Sequence, residues 1–378
     1  MSTRVGRASE QVSARLIEWT VGPFHAMLPG PMKLSLRLDG EVVHSAAIEA
    51  GFARRGIVSV MKRCTWSQGV AVMGRLDPEA AIFGEWVFCL AAEKALGLEI
   101  PERARAIRIL LAELSRVSSH LHQLALVARS AGAEPVFHFM LREREAVLDL
   151  LELVSGSRHS PGFLRFGGVR EDVTEGFLER LQEVCQRLLE RISEYNDLLT
   201  YNEAFVRRVS GRAIISRNLV ARHGISGVPS RVFDRGQDLR WREKSGYELV
   251  QHQNLPANIS SGAPGDLHQR FVLKLQEIIQ SGHLLQELSQ HLPAGPHRIG
   301  GDFSRIPAGR FFAEVEAPRG RLDLELHSNG GTTPLDLRFN TPSQPLLAAL
   351  PEFIVGAPVE DLELALASLD LQIGEVDQ

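Results

Sequence analysis

Apolar residues recur along the chain with two different periods. Lys33–Leu38 alternates polar and apolar positions, Asp39-Gly40 supplies a turn, and Glu41–Ile48 continues as strand, which predicts a β-hairpin. From Ile57 onward the spacing becomes helical. Pro78–Leu96, Glu102–Arg129, Phe137–Ser155 and Thr174–Tyr201 are predicted helices, the last with Leu178, Leu181, Leu188 and Leu189 on one stripe. Such stripes form the core of a bundle rather than a cofactor box. His268–Leu292 repeats the pattern. Phe311–Glu316 and Leu322–His327 alternate around Pro318-Arg319-Gly320 as a second hairpin, with Pro334–Asn340 as a third strand. Gln344–Ile354 and Asp361–Ser368 close the chain as helices. Val21–Pro31 is a loop, and Val209–Asn258, rich in Gly, Ser, Arg and Pro, is an irregular connection. The expected fold is α+β, a central α-helical bundle with small antiparallel β elements near both ends. It divides into an arm over 1–20, a short helix or extended stretch, a hairpin region over 21–56, the bundle over 57–208, and a closing region over 209–378.

A chain of 378 residues can bury a large core. Its hydrophobic content of 44% and charged content of 23% are those of an ordinary globular protein. A net charge of −4 makes no electrostatic case for nucleic acid. Cys64, Cys89 and Cys185 stand apart, with no CxxC pair, which argues against a zinc site or an iron–sulfur cluster held by this chain. Cys64 and Cys89 are expected to pack as small hydrophobes, and the absence of paired cysteines favours a reducing compartment. No apolar run reaches the roughly 18 residues that span a bilayer, and Met1–Glu18 lacks a signal-peptide core, so the expectation is a cytoplasmic protein. His120 and His122 face different sides of a helix, so a shared metal is not expected. No G-x-G-x-x-G follows a strand, and no nucleophile–base pair or phosphate loop appears.

The final residues, Leu369 to Gln378, are apolar enough to be tucked inside rather than frayed. Together with several internal blocks they carry a resemblance. Leu38-Asp39-Gly40-Glu41-Val42-Val43, the run from Glu93 to Ala104, Ile107-Arg108 with Glu113-Leu114-Ser115-Arg116 and Ser119-His120-Leu121, Arg142-Glu143-Arg144-Glu145, and Gly167-Gly168-Val169-Arg170 recur in order and spacing in the D-type subunit of respiratory complex I. That family, the large subunit at the quinone site of NADH-quinone oxidoreductase, shares its fold with the large subunit of nickel–iron hydrogenases. The likeness runs from about Gly22 to Gln378. It implies that Arg142, Glu143, Arg144 and Glu145 form partly buried pairs with Arg103, Arg108 or Glu113.

In the hydrogenases two CxxC pairs hold the metals through thiolates. Their positions fall here on Asp77, Ala80, Gln372 and Glu375, so the resemblance implies a metal-free relative with no cofactor of its own. In the D-type family a His-Pro-Ser-Thr-His-Gly loop, a Tyr and an Asp hold the quinone head group. Here the loop reads His25-Ala26-Met27-Leu28-Pro29-Gly30. The second His becomes Pro29, the Tyr becomes Pro78 and the Asp becomes Ser130. Proline donates neither a hydrogen bond nor a proton. His25, Lys62, Arg63 and Trp66 are the candidate replacements. Arg55 takes the place of an Arg near the terminal iron–sulfur cluster of the small subunit, and Arg54 replaces a His. A fixed guanidinium there would raise that cluster's potential.

The resemblance further implies three partners similar to those in complex I: the B-type iron–sulfur small subunit, a C-type protein and an H-type protein of the membrane arm. It also implies a place on the cytoplasmic face of an ion-translocating complex. The acceptor would be quinone-like. A second reading is a non-catalytic scaffold that kept the interfaces and lost the chemistry.

Overall fold

The computed structural model describes residues 16–159, 161–234, 238–242, 245–250 and 264–377. The expected arm over 1–20 lies outside them up to residue 15. Its end does not stay separate: Ile17–Val21 is strand β1, antiparallel to β2 (Lys33–Asp39), with Ile17 opposite Leu38 and Val21 opposite Leu34. β3 (Val42–Glu49) completes a three-stranded sheet. The boundary at residue 20 therefore cuts a strand, whose Ile-Glu-Trp-Thr-Val alternation is too short to declare itself.

Short helices α1 (Ile57–Met61) and α2 (Trp66–Met73) lead into the bundle. α2 opens on a capping box, with the Thr65 hydroxyl and the Gln68 side chain each meeting the other's backbone N–H. α3 (Ala81–Leu96) starts later than predicted, because the Asp77 side chain accepts from Glu79 N–H at 3.1 Å and holds a turn. α3 can cross α2 closely only because residue 84 is glycine; a Cβ there would lie 2.2 Å from the Met73 carbonyl oxygen. α4 (Glu102–Ser130) is the central rod, and packs on α3, α5 (Glu134–Ser155), α10 (Leu267–Gln290) and α12 (Leu362–Leu369). α5 begins three residues before the prediction because Pro135 is tolerated in its first turn.

A two-stranded ribbon, β4 (Leu164–Arg165) with β5 (Gly168–Val169), precedes α6 (Phe177–Tyr195). α6 buries Leu181, Val184, Cys185, Leu188 and Ile192 against α5 and α10, then ends in a π turn at Asn196–Thr200. The predicted irregular connection is partly helical in its described part: α7 (Glu203–Val209), α8 (Arg217–His223) and α9 (Val228–Arg231) are one or two turns each. Runs this short carry no period to read. Strands β6 (Gly309–Ala317), β7 (Gly320–Ser328) and β8 (Asp336–Asn340) form the second sheet, which covers α3. α11 (Ser343–Ile354), α12 and a final turn, α13 (Ile373–Val376), close the chain.

Two apolar cores result. The larger lies inside the bundle and under the second sheet. The smaller joins the first sheet to α8, α11, α12 and the tail, through residues such as Leu34, Leu36, Leu350 and Leu369. The two ends of the chain thus share one core. Cys89 and Cys185 are buried in the larger core, whereas Cys64 is half-exposed at the end of α1.

The charged blocks are paired, but with other partners than expected. Arg108 grips Glu93 through two bonds of 2.6 and 2.9 Å and also donates to the Gly168 carbonyl. Arg103 pairs with Asp172, Arg142 with Glu143, Arg144 with Glu79, and Glu145 with Arg158. Only Glu143 and Arg144 of the four-residue block are buried. The expected partners on α4 turn to other elements. Glu113 receives Arg116, Arg240, Ser281 and Tyr247, and Glu277 receives Arg231 and His120. Burial pushes His120 down to about 4 despite Glu277, so it sits in the core as a neutral ring.

Replacing Arg108 by Ala strands the Glu93 carboxylate in the core. We expect a loss of about 3–5 kcal/mol in denaturant unfolding. A loss of about 1 kcal/mol or less would mean that the pair behaves as a surface ion pair.

Candidate functional site

A cavity of about 330 Å³ opens between the β1–β2 loop, the last turns of α4 and the tail. Its size lies within the range of small-molecule sites, roughly 300–1,000 Å³. The loop is drawn into shape by Met32 N–H donating to the Pro23 carbonyl at 3.1 Å and Leu28 N–H to the His25 carbonyl at 3.0 Å. Leu28 and Met32 are anchored in the smaller core with Met27 packed against it, and Met27, Leu28 and Pro29 line the cavity. α4 contributes His122, Leu126 and Ser130, and the tail contributes Leu371 and Gln372.

The rear of the cavity is a line of paired charges. Arg319, from the β6–β7 turn, bridges Asp77 and Asp370, and Lys274 of α10 donates to Asp370 at 2.5 Å. Burial alone would raise the Asp370 carboxyl, but Lys274 and Arg319 outweigh it and hold it below the usual range. Burial raises Asp77, with Arg319 offsetting part of the effect. Glu79 lies beside this line. Burial would raise it, but its bond to His122 and the charges of His122, Arg144 and Arg319 bring it down to about 2.

The tail is held at each step. Gln372 N–H donates to the Ser343 hydroxyl at 3.0 Å, and Ser343 N–H donates to the Glu375 carboxyl at 3.0 Å. Asp377 accepts from Gly51 and Ala53 N–H at 2.7 and 2.8 Å. Glu375 is buried and raised to about 8, first by burial and next by the charge of Asp77, with Arg319 and the bonds from Ser343 opposing. The tail is tucked in, as its apolar residues predict.

The structure separates the predicted site residues into groups. Pro29, Ser130 and Gln372 line the cavity together. Pro78 is exposed and does not. His25 is exposed outside it, with its ring nitrogen accepting Met27 N–H at 3.2 Å. Lys62 pairs with Asp336 on β8 at 2.8 Å, Arg63 is exposed, and neither reaches the cavity. Trp66 is fully buried, stacked on Phe88, with its indole N–H on the Gly331 carbonyl at 2.9 Å. None of these four candidate replacements lines this cavity: three face other surroundings, and Trp66 is core. Arg54 is exposed. Arg55 reaches between two segments, donating to the carbonyls of Arg75, Leu76 and Gly374.

The four positions that align with metal-binding cysteines do converge around this stitch, since Leu76 precedes Asp77 and Gly374 lies between Gln372 and Glu375. They do not fit a thiolate-held centre. Ala80 has no donor atom, Asp77 is already met by Arg319, and the Gln372 side chain caps α13. Among the described residues no three His, Cys, Asp or Glu side chains are grouped to hold a metal ion.

Glu79, His122, Arg319 and Asp370 are not among the residues that the sequence marks. A signal exists for one pair. Helix geometry turns His120 and His122 different ways, and so they lie: His120 meets Glu277 in the core, while His122 meets Glu79 at 3.3 Å.

A helical bundle with terminal sheets joined by a buried tail, and a cavity beneath that tail, defines a large subunit of the hydrogenase type. The family model of the respiratory-chain NADH dehydrogenase 49 kDa subunit matches residues 130–304 and 300–378. The D subunit of the NADH-quinone oxidoreductase of Desulforamulus reducens is 35% identical, over 94% of this chain and 97% of its own length. The D subunit of the F420H2 dehydrogenase of Methanosarcina mazei is 32% identical, over 95% and 96%. Its counterpart in the NADH-quinone oxidoreductase of Carboxydothermus hydrogenoformans is 34% identical, over 96% and 98%. The chain belongs to the 49 kDa subunit family of respiratory NADH dehydrogenases, as its sequence blocks predict. Among the described residues no helix is long and apolar enough to cross a membrane.

Glu375 has a folded value raised above its ordinary 4.5, so the stability it contributes is complete below that value and is lost as pH rises through about 8. Glu375→Gln keeps the acceptor oxygen for Ser343 without the charge. Its melting temperature relative to the unchanged protein should rise steadily between about pH 5 and pH 8 and then level off. A constant difference across that range would mean that Glu375 is ionised throughout.

Proposed function

We propose that this chain is the acceptor-site subunit of a complex I-like redox complex, metal-free and working on a quinone-type acceptor. The observation that carries the reading is the cavity itself. It lies where Pro29 and Ser130, the positions of two absent quinone-binding groups, meet the tail. Electrons would come from a cluster in a B-type iron–sulfur small subunit, with C-type and H-type neighbours. The assembly would lie on the cytoplasmic side of an ion-translocating membrane arm. The match to subunits of NADH-quinone oxidoreductases and of an F420H2 dehydrogenase supports such an assembly and leaves the donor open.

The absence of the usual His, Tyr and Asp favours a scaffold instead. Against it stands a cavity with room for a head group, lined by Met27, Leu126 and Leu371 on its apolar side. The deciding experiment is purification of the intact native complex, with quinone reduction assayed using NADH, reduced F420, reduced ferredoxin and an artificial donor. Inhibitor-sensitive turnover is the expected result. Clusters that reduce without any quinone turnover would leave the scaffold reading or a different acceptor.

Arg55 belongs to the same reading, as the guanidinium that tunes the partner's cluster. Arg55→Met should lower that cluster's midpoint potential in redox titrations of the assembled complex. It should also loosen the tail by about 1–3 kcal/mol through the bonds to Leu76 and Gly374. An unchanged potential in an assembled complex removes the tuning role.

A further inference from the structure

His122 is the one imidazole among the described residues that line the cavity. It projects from the α4 turn before Leu126 and Ser130, and its side chain is one-third exposed. Its Nδ1 faces the Glu79 carboxylate at 3.3 Å. Glu79 is fixed in turn by Arg144, which donates to the same carboxylate at 2.6 Å from α5. A carboxylate on one ring nitrogen sets the proton on that side and orients the ring, leaving the other nitrogen for a ligand. No hydrogen bond from Nε2 is made to any described residue.

Glu79 follows Pro78, the residue in the place of the absent Tyr, and His122 stands two turns before Ser130, the residue in the place of the absent Asp. An acidic group is therefore present next to the Tyr position, and an imidazole on the helix that carries the Asp position. The other charges bordering the cavity among the described residues are Arg129 on α4, Glu363 on α12, and the bridged Arg319 and Asp370. Glu79, paired with Arg144 behind it, is the carboxylate that meets the ring.

We infer that His122 hydrogen-bonds and protonates the carbonyl oxygen of the acceptor held in this cavity, with Glu79 as the residue that positions its ring. The inference rests on the acceptor-cavity reading above and names the group that would do the chemistry. With Nδ1–H on Glu79, the imidazolium presents Nε2–H to the carbonyl oxygen. The acceptor takes two electrons, one at a time, from the iron–sulfur cluster of the small subunit, which the electron donor of the complex re-reduces after each. One proton comes from Nε2 and forms the first O–H, leaving a neutral imidazole still bonded to Glu79. Solvent supplies one proton for the second O–H and another that restores Nε2–H. The two carbonyls of the acceptor become hydroxyls, and the donor is left oxidised by two electrons.

The test uses the intact complex with a short-chain quinone and an artificial electron donor. Inhibitor-sensitive turnover by the unchanged complex establishes the cavity; its absence defeats the acceptor reading and this inference with it. Given turnover, His122→Gln should lower kcat by about 100-fold or more while the clusters still reduce, as removal of a general acid does. Glu79→Gln should lower kcat less, by roughly 10-fold, with KM for the quinone little changed, because the ring is no longer held for proton transfer while the cavity keeps its lining. A purely structural role for Glu79 would raise KM or impair assembly instead of lowering kcat alone. If His122→Gln does not assemble, the split between kcat and KM in Glu79→Gln decides. Unchanged kcat and KM in an assembled His122→Gln complex, or an unchanged kcat in Glu79→Gln, would overturn the assignment.

Discussion

Arg116, Arg231 and Arg240 lie inside the bundle with almost no contact with solvent, and each persists there because carboxylates meet it. Arg231 is shared by Glu277 and Glu316, Arg240 by Asp238 and Glu113, and Arg116 by Glu113 and the Glu316 carbonyl. Removing any one member would leave a charge in a medium that cannot solvate it. The network joins α4, α9, α10, β6 and the 238–240 segment, elements far apart in sequence. The register between the bundle and the second sheet follows from this pairing at least as much as from apolar contact, because apolar contact is non-directional whereas a bidentate guanidinium is not.

The same constraint, carried toward the tail, makes the cavity. Arg319 extends from the sheet that the network positions and bridges Asp77 and Asp370. That bridge ties the turn before α3 to the last residues of α12, and Lys274 ties both to α10. Asp377 then caps the segment after the first sheet. A terminus that would fray in isolation is held by ion pairs at Asp370, by backbone N–H groups donating to Glu375 and Asp377, and by apolar packing at Leu369, Leu371 and Ile373. The cavity is the space left between the parts thus fixed.

Around Arg55 two segments of the chain, those in which the resemblance places the hydrogenase cysteine positions, present backbone carbonyls to a guanidinium. A cation with fixed donors takes up the carbonyl oxygens of Leu76 and Gly374. Backbone carbonyls held by a guanidinium are not a donor set for soft metals.

Much of the bundle is legible from the sequence. Long amphipathic runs such as Glu102–Arg129 and His268–Leu292 differ from α4 and α10 by a residue or two, because their period is dictated by the faces they bury. The apolar tail is legible too, as is the divergence of His120 from His122, which follows from helix geometry alone. The family is legible because several blocks keep their order. What the sequence does not specify is partnership. It sets Arg108 against the 142–145 block, yet Arg108 holds Glu93; it offers Trp66 as a cavity residue, yet Trp66 fills the core. Glu79 and His122 are far apart along the chain, and only the packing of the turn before α3 against α4 brings them to 3.3 Å. Periodicity records which way a side chain faces, a property of its own element. Which charge it meets depends on how elements separated by long stretches of chain are packed, and that was decided by the tertiary structure.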